Sequence, residues 1–144
     1  MSALSTSYVG FTDGASCSTQ NMASVAWPMY SPTSELVTSN GIGLGCATNN
    51  IAEYSVVVEL LTKAISLDIR HLVVPLDSQL VVLQLRNFYS IRSPTLLRLF
   101  MRVRLLEREF YYLEYQHIPR CLNTFTYTLA NYVLDIHLQH LNQA

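Results

Sequence analysis

Ser7-Tyr8-Val9-Gly10-Phe11-Thr12-Asp13-Gly14-Ala15-Ser16 decides how the rest of the chain is read. Apolar and polar residues alternate from Tyr8 to Thr12, as in a half-buried strand, and Gly14 marks a stop that leaves the Asp13 carboxylate at the strand end. Thr48-Asn49-Asn50-Ile51-Ala52-Glu53-Tyr54 opens a helix with an acid in its first turns. Leu72-Val73-Val74-Pro75-Leu76-Asp77-Ser78-Gln79 reads as a buried strand ending in another acid. Any one of these carboxylates suits a cap or a solvated turn. Strand-end Asp, helix Glu and strand-end Asp together are how a fold gathers oxygen ligands around hard divalent cations.

The 144 residues suit one domain, spanning 1–144 with a core from about residue 7 to 140. Half of the residues are hydrophobic and 13% are charged, which excludes a disordered chain. No apolar run reaches the roughly 18 residues of a membrane span, and the polar start Met1-Ser2-Ala3-Leu4-Ser5-Thr6 does not read as a secretory signal. The expectation is a soluble protein in the cytoplasm or nucleus, without a membrane partner. Cys17, Cys46 and Cys121 are odd in number and lack metal-ligand spacing, so they read as reduced thiols. Net charge is −1, with Lys63 the only lysine beside eight arginines, which is not the balance of a general nucleic-acid binder. Any basic surface must therefore be local.

Beyond the first strand, Asn21 to Tyr30 and Ser34 to Gly45 read as two strands turned through Ser31-Pro32-Thr33, completing an antiparallel meander. Gly41-Ile42-Gly43-Leu44-Gly45 lacks the spacing of a nucleotide loop and reads as strand. Asn49 to about Leu67 is the clearest helix: Ala52, Val56, Leu60 and Ala64 form one face, widened by Val57, Leu61 and Ile65, with Thr48 or Asn49 as cap. Arg70 to Asp77 is a fourth strand, unusual for Pro75 inside it. Ser78 to Arg86 is a short helix capped by Ser78, and Pro94 to Glu109 a longer one opened by its proline. Arg86, Arg92, Arg98, Arg102, Arg104 and Arg108 fall here, with Arg98 and Arg102 on one helical face and Arg104 and Arg108 on another: an ordinary polar face or an anchor for phosphates. Phe110 to Ile118 is a fifth strand whose Tyr111, Tyr112 and Tyr115 suit a sheet face, and Leu122 to Leu141 a final amphipathic helix. This order of elements predicts an α/β domain with a mixed five-stranded sheet flanked by helices.

Four pieces carry a resemblance: Thr12-Asp13-Gly14-Ala15-Ser16, Thr48 to Tyr54, Asp77-Ser78-Gln79-Leu80-Val81-Val82, and His117-Ile118-Pro119-Arg120 followed by Asn123 and Leu129-Ala130-Asn131. In this order they resemble the ribonuclease H family, particularly the domains of plant long-terminal-repeat retrotransposons and archaeal-like cellular enzymes. The resemblance implies a ribonuclease H-like fold in which the first strand is central and the fourth and fifth run parallel to it. It also implies hydrolysis of the RNA strand of an RNA–DNA hybrid with two Mg2+ or Mn2+ ions. Asp13, Glu53 and Asp77 are then the metal-binding catalytic acids and His117 the loop histidine of proton handling or product release. Asn49 and Gln79 match readers of the hybrid's minor groove, with Asn50 beside them and Gly14 in the same substrate-facing set. Thr48 matches a phosphate contact, and Arg120 and Asn123 complete the loop motif.

At one position the sequence departs from the family. Asn123-Thr124-Phe125-Thr126-Tyr127 puts Tyr127 where the fourth metal carboxylate belongs, and a phenol is neutral near pH 7 and a poor magnesium ligand. Asp135, eight residues on, would lie roughly 12 Å farther along a helix, too far to replace it. Two functions stay open: a hybrid-specific endonuclease working with three acids, or a non-catalytic binding or structural domain of retroelement origin, in the context of a reverse transcriptase or polyprotein. A third, an integrase- or resolvase-like polynucleotidyl transferase, shares the acids but does not call for Asn49, Gln79 and His117.

Overall fold

A computed structural model describes residues 7–15, 23–26, 28–38, 41–45 and 49–119. The strands are β1 (Tyr8–Gly10), β2 (Asp13–Ala15), β3 (Ala23–Ala26), β4 (Met29–Tyr30), β5 (Leu36–Thr38), β6 (Gly41–Gly45), β7 (His71–Leu76) and β8 (Tyr112–His117). The helices are α1 (Asn49–Ser66), α2 (Gln79–Leu85) and α3 (Pro94–Glu107). The main sheet has the order β5-β4-β1-β7-β8, with β1 central. It is antiparallel from β5 to β1 and parallel from β1 through β7 to β8, the mixed five-stranded arrangement expected of the sequence. The final helix expected over Leu122 to Leu141 lies outside the described residues.

The meander departs from expectation in one respect. Each of its strands is present as two pieces, and one piece of each, β2, β3 and β6, joins a small antiparallel sheet ordered β2-β3-β6. The first strand does not stop at Gly14: β2 carries it to Ala15, held by β3 in the pairs Asp13–Ala26, Gly14–Val25 and Ala15–Ser24. The physical reason for the break lies on the neighbouring strand. Pro28 has no N–H to give to a ladder, and among the described residues the bond from Phe11 N to Pro28 O, at 2.9 Å, crosses there. The register nevertheless continues unchanged from Val9–Tyr30 and Gly10–Met29 into Asp13–Ala26, with no residue gained or lost. The two pieces thus lie along one line.

Alternation divides the apolar residues of the sheet between two clusters. Leu72, Val74 and Leu76 of β7 and Tyr115 of β8 join the buried face of α1, which contributes Tyr54, Val56, Val57, Leu60, Leu61 and Ala64. Val9, Phe11, Tyr30, Val73 and Ile118 form the second cluster, where Phe11 and Tyr30 meet edge to face at 5.8 Å. Each fully buried aliphatic side chain here contributes roughly 1.5–3 kcal/mol. The aromatics of the fifth strand do not share one face as expected. Tyr111 precedes β8 and is exposed, Tyr112 packs against the second cluster and Tyr115 is buried in the first. Pro75 is tolerated inside β7 because pairing with β1 ends at Val73, while the β8 register runs on through Pro75–Gln116 to Leu76–His117.

The predicted helix starts are confirmed by their caps. Ser78 Oγ accepts from Val81 N at 3.3 Å, and Ser93 Oγ accepts from Leu96 N at 3.4 Å with Pro94 in the first turn of α3. Arg104 ties the ends of three elements together. It donates to both Glu107 oxygens at 2.8 Å, to Leu85 O at 2.6 Å and to Asn87 Oδ1 at 2.8 Å, and lies 4.3 Å from the centre of the Phe100 ring. Glu107 in turn accepts from the Tyr115 hydroxyl at 2.6 Å. Asn87 makes its contact from a left-handed backbone, φ 67°, which asparagine adopts more readily than most residues. Among the described residues, no helix is long and apolar enough to cross a membrane.

Candidate active site

Strand direction determines where the three acids can go. β2 and β6 are both antiparallel to β3 and therefore run the same way, and β7 is parallel to β1. A helix leaving the carboxyl end of β6 and feeding the amino end of β7 must run back against them. The amino terminus of α1, with Glu53 in its second turn, consequently stands at the carboxyl end of β2. Asp77 follows directly on Leu76, the last residue of β7, at the same edge.

Register refines this placement. β1 and β7 pair Tyr8 with Leu72 and Val9 with Val73. Asp13 and Asp77 each lie four residues beyond the last of these pairs. The level of Glu53 follows from one close approach, since a Cβ on Gly10 would come within 2.7 Å of Leu60 Cδ1. Glu53 lies seven residues before Leu60, about 10 Å back along α1 at 1.5 Å per residue. Asp13 lies three residues beyond Gly10, about 10 Å forward at roughly 3.3 Å per residue. Seven residues is also close to two whole turns, so Glu53 shares the sheet-facing side of α1 with Leu60 and is only 9% exposed.

Burial of a carboxylate on a helix face lined with Val and Leu is costly unless something of opposite character compensates it. Glu53 Oε2 and Asp77 Oδ1 are both sealed from solvent. A buried carboxylate at Glu53 and a half-buried one at Asp77, with a third acid at Asp13, make a hard, oxygen-only donor set of the kind divalent cations such as magnesium prefer. The chemistry of the residues therefore fits the ion. Among the described side chains, no three of His, Cys, Asp and Glu form a cluster; the Asp13 side chain lies outside that set, and its position at the edge follows from its backbone alone.

The remaining predicted site residues distribute around the same edge. His117 is the last residue of β8, paired with Leu76, and is exposed. Immediately after it Ile118 is 1% exposed and its N–H bonds Leu76 O at 2.9 Å, fixing where the chain leaves the sheet. Gln79 is the exposed first residue of α2, two positions after Asp77. Asn49 and Asn50 open α1, one turn before Glu53, with Asn50 half-buried. Gly14 is in β2 beside Asp13. Thr48, Arg120, Asn123 and Tyr127 lie outside the described residues. Arg104, expected on an outward face with Arg108, is instead drawn to Glu107, Leu85 and Asn87 and is not a phosphate anchor. Gly10 is the positioning residue that sequence patterning passes over: its small size, in an otherwise bulky alternation, is the signal.

Comparison with known proteins agrees with this fold. A family model described as Reverse transcriptase-like matches residues 11–133. The crystal structure of RNase H1 from the halophilic archaeon Halobacterium salinarum is 34% identical, with a TM-score of 0.76 over 89% of this chain and 97% of that one. The chain belongs to the ribonuclease H family. A bifunctional protein of Mycobacterium tuberculosis is 36% identical over 92 residues, 64% of this chain, and this ribonuclease H chain spans only 25% of that protein's length. LC11-RNase H1, whose structure was solved in complex with an RNA/DNA hybrid, is 25% identical, with a TM-score of 0.74 over 91% of this chain and 99% of that one.

Proposed function

We propose that this ribonuclease H domain hydrolyses the RNA strand of RNA–DNA hybrids in a reaction that depends on divalent cations. The observation that supports this reading is that Glu53 and Asp77 each bury a carboxylate oxygen, with Asp77 and Asp13 each four residues beyond the last β1–β7 pair. It is further supported by the similarity to a structure solved with an RNA/DNA hybrid. Bound there, magnesium or manganese supplies an activated water and stabilisation of the leaving oxygen.

The chain's own residues have distinct tasks in this reading. Asp13, Glu53 and Asp77 would hold the cations. Asn49, Asn50 and Gln79 stand at two helix starts flanking the acids, where amide side chains can test the minor groove for a 2′-hydroxyl. Gly14 lets the backbone beside Asp13 come close to the substrate. Thr48 contacts a phosphate, Arg120 and Asn123 complete the loop motif that meets the substrate, and His117, exposed at the end of β8, serves proton handling or product release.

Tyr127 favours a second reading, a hybrid-binding or structural domain without catalysis, for instance within a reverse transcriptase or polyprotein. Substitution Tyr127→Asp separates the two. In the nuclease reading the wild-type protein cleaves a labelled hybrid, and Tyr127→Asp raises the rate at low magnesium by about tenfold or more, as a regained carboxylate tightens cation binding. Absence of both cleavage and calorimetric cation binding in the two proteins selects the non-catalytic reading.

A further inference from the structure

Helix α3 has more apolar surface than the core uses. Leu96, Leu99, Phe100, Val103 and Leu106 pack inward against the first cluster. Leu97, Met101 and Leu105 recur every four residues on another side, and are 44%, 53% and 61% exposed. With Pro94 and the stems of Arg98 and Arg102 they line a shallow groove of about 510 Å3. Leu97 also borders a second hollow of about 460 Å3, where Phe88 and Tyr89 stand 66% and 56% exposed beside Ile91. The two hollows make one continuous apolar surface along α3 and the loop before it. None of its residues belongs to the acid site.

Its charge identifies the occupant. Arg98 and Arg102 flank the apolar stripe, neither enters an ion pair among the described residues, and no acid lines the groove. A second copy of this chain seated face to face would bring these arginines against their own equivalents, which disfavours self-association. Nucleic acid would satisfy the arginines, yet its phosphates gain nothing from Leu97, Met101 and Leu105 and would dehydrate beside them. An amphipathic helix with an apolar stripe and flanking carboxylates answers both features at once.

We propose that this face of α3 docks an acidic amphipathic helix of a partner protein. The groove receives apolar side chains spaced three and four residues apart, and Arg98 and Arg102 pair with Asp or Glu beside them. Phe88 and Tyr89 provide large anchors at one end, the residue types that concentrate binding energy in such interfaces. The inference is independent of whether the acid site is catalytic.

The test is fluorescence anisotropy with a labelled helical peptide of about 18 residues, long enough to lie along α3, bearing leucines on one face and flanking glutamates. A control peptide carries lysines in place of the glutamates. The full chain binds the glutamate peptide at least about tenfold more tightly than the lysine peptide. Met101→Asp weakens it about tenfold or more, and Arg98→Glu with Arg102→Glu reverses the preference toward the lysine peptide. Circular dichroism shows the variants folded, as exposed positions allow. Equal affinity for the two peptides, or no binding of either, overturns the proposal. So does hybrid affinity that falls in Met101→Asp as it does in the arginine variant, which would make the face a nucleic-acid surface. A wild-type dimer in sedimentation that Met101→Asp dissociates would overturn it in favour of a second copy.

Discussion

Gly10 faces Leu60 with no room for a side chain between them: a Cβ at position 10 would stand 2.7 Å from one Leu60 methyl carbon and 3.0 Å from the other. This approach brings α1 onto β1, with Glu53 seven residues before it on the helix and Asp13 three residues beyond it on the strand. Substitution Gly10→Ala should therefore destabilise the fold by about 1–3 kcal/mol through overpacking. In urea unfolding, a second change, Leu60→Ala, should recover part of that loss relative to the sum of the two single effects. Strict additivity would show that the helix does not press on this glycine.

Arg104 supports the far side of the same core. Its removal leaves the carbonyl of Leu85 and the carboxylate of Glu107 short of a donor in a partly buried place, with Tyr115 still bonded to the acid. Arg104→Met should cost about 2–4 kcal/mol in denaturant unfolding. Arg104→Lys should restore only part of this, because one ammonium cannot reproduce the planar fork that reaches Glu107, Leu85 and Asn87 together.

Alkaline pH should weaken the fold through its buried tyrosines. Burial pushes the Tyr54 phenol up to about 12, against a small opposing effect from Arg104, and burial with the Glu107 carboxylate raises Tyr115 well above its ordinary value. A raised phenol contributes stability that is complete below the unfolded value near 10 and is lost as pH climbs through the folded value. Unfolding free energy should stay level from pH 7 to about 9 and fall between about 10 and 12. Tyr54→Phe should lower stability by about 1 kcal/mol at neutral pH, since buried Gln84 Oε1 loses its 2.8 Å hydrogen bond, and should flatten the alkaline slope. An unchanged slope would mean that Tyr54 does not govern it.

Much of this architecture was legible in the residues alone, for local reasons. The 3.6-residue periodicity of α1, the cap Ser78, Pro94 at the start of α3, and the turn chemistry between strands each act within a few residues of where they are written. What the residues did not disclose depends on partners distant in sequence. The break after Gly10 comes from Pro28 on the adjacent strand, and Arg104 meets Leu85 nineteen residues away. Tyr111 lies before the strand because β8 begins at Tyr112, two residues later than the expected Phe110. The acids at 13, 53 and 77 could be singled out by type and setting, but the pairing of β1 with β7 and the Gly10–Leu60 approach join residues distant in sequence.

The most direct test of a three-carboxylate site is cleavage of a labelled RNA–DNA hybrid by the purified protein in magnesium and then in manganese, with Asp13→Asn prepared in parallel. The account predicts cleavage of the RNA strand by the wild-type protein and its loss in Asp13→Asn, with a larger rate in manganese. Equal residual cleavage by the two proteins in both metals would contradict it.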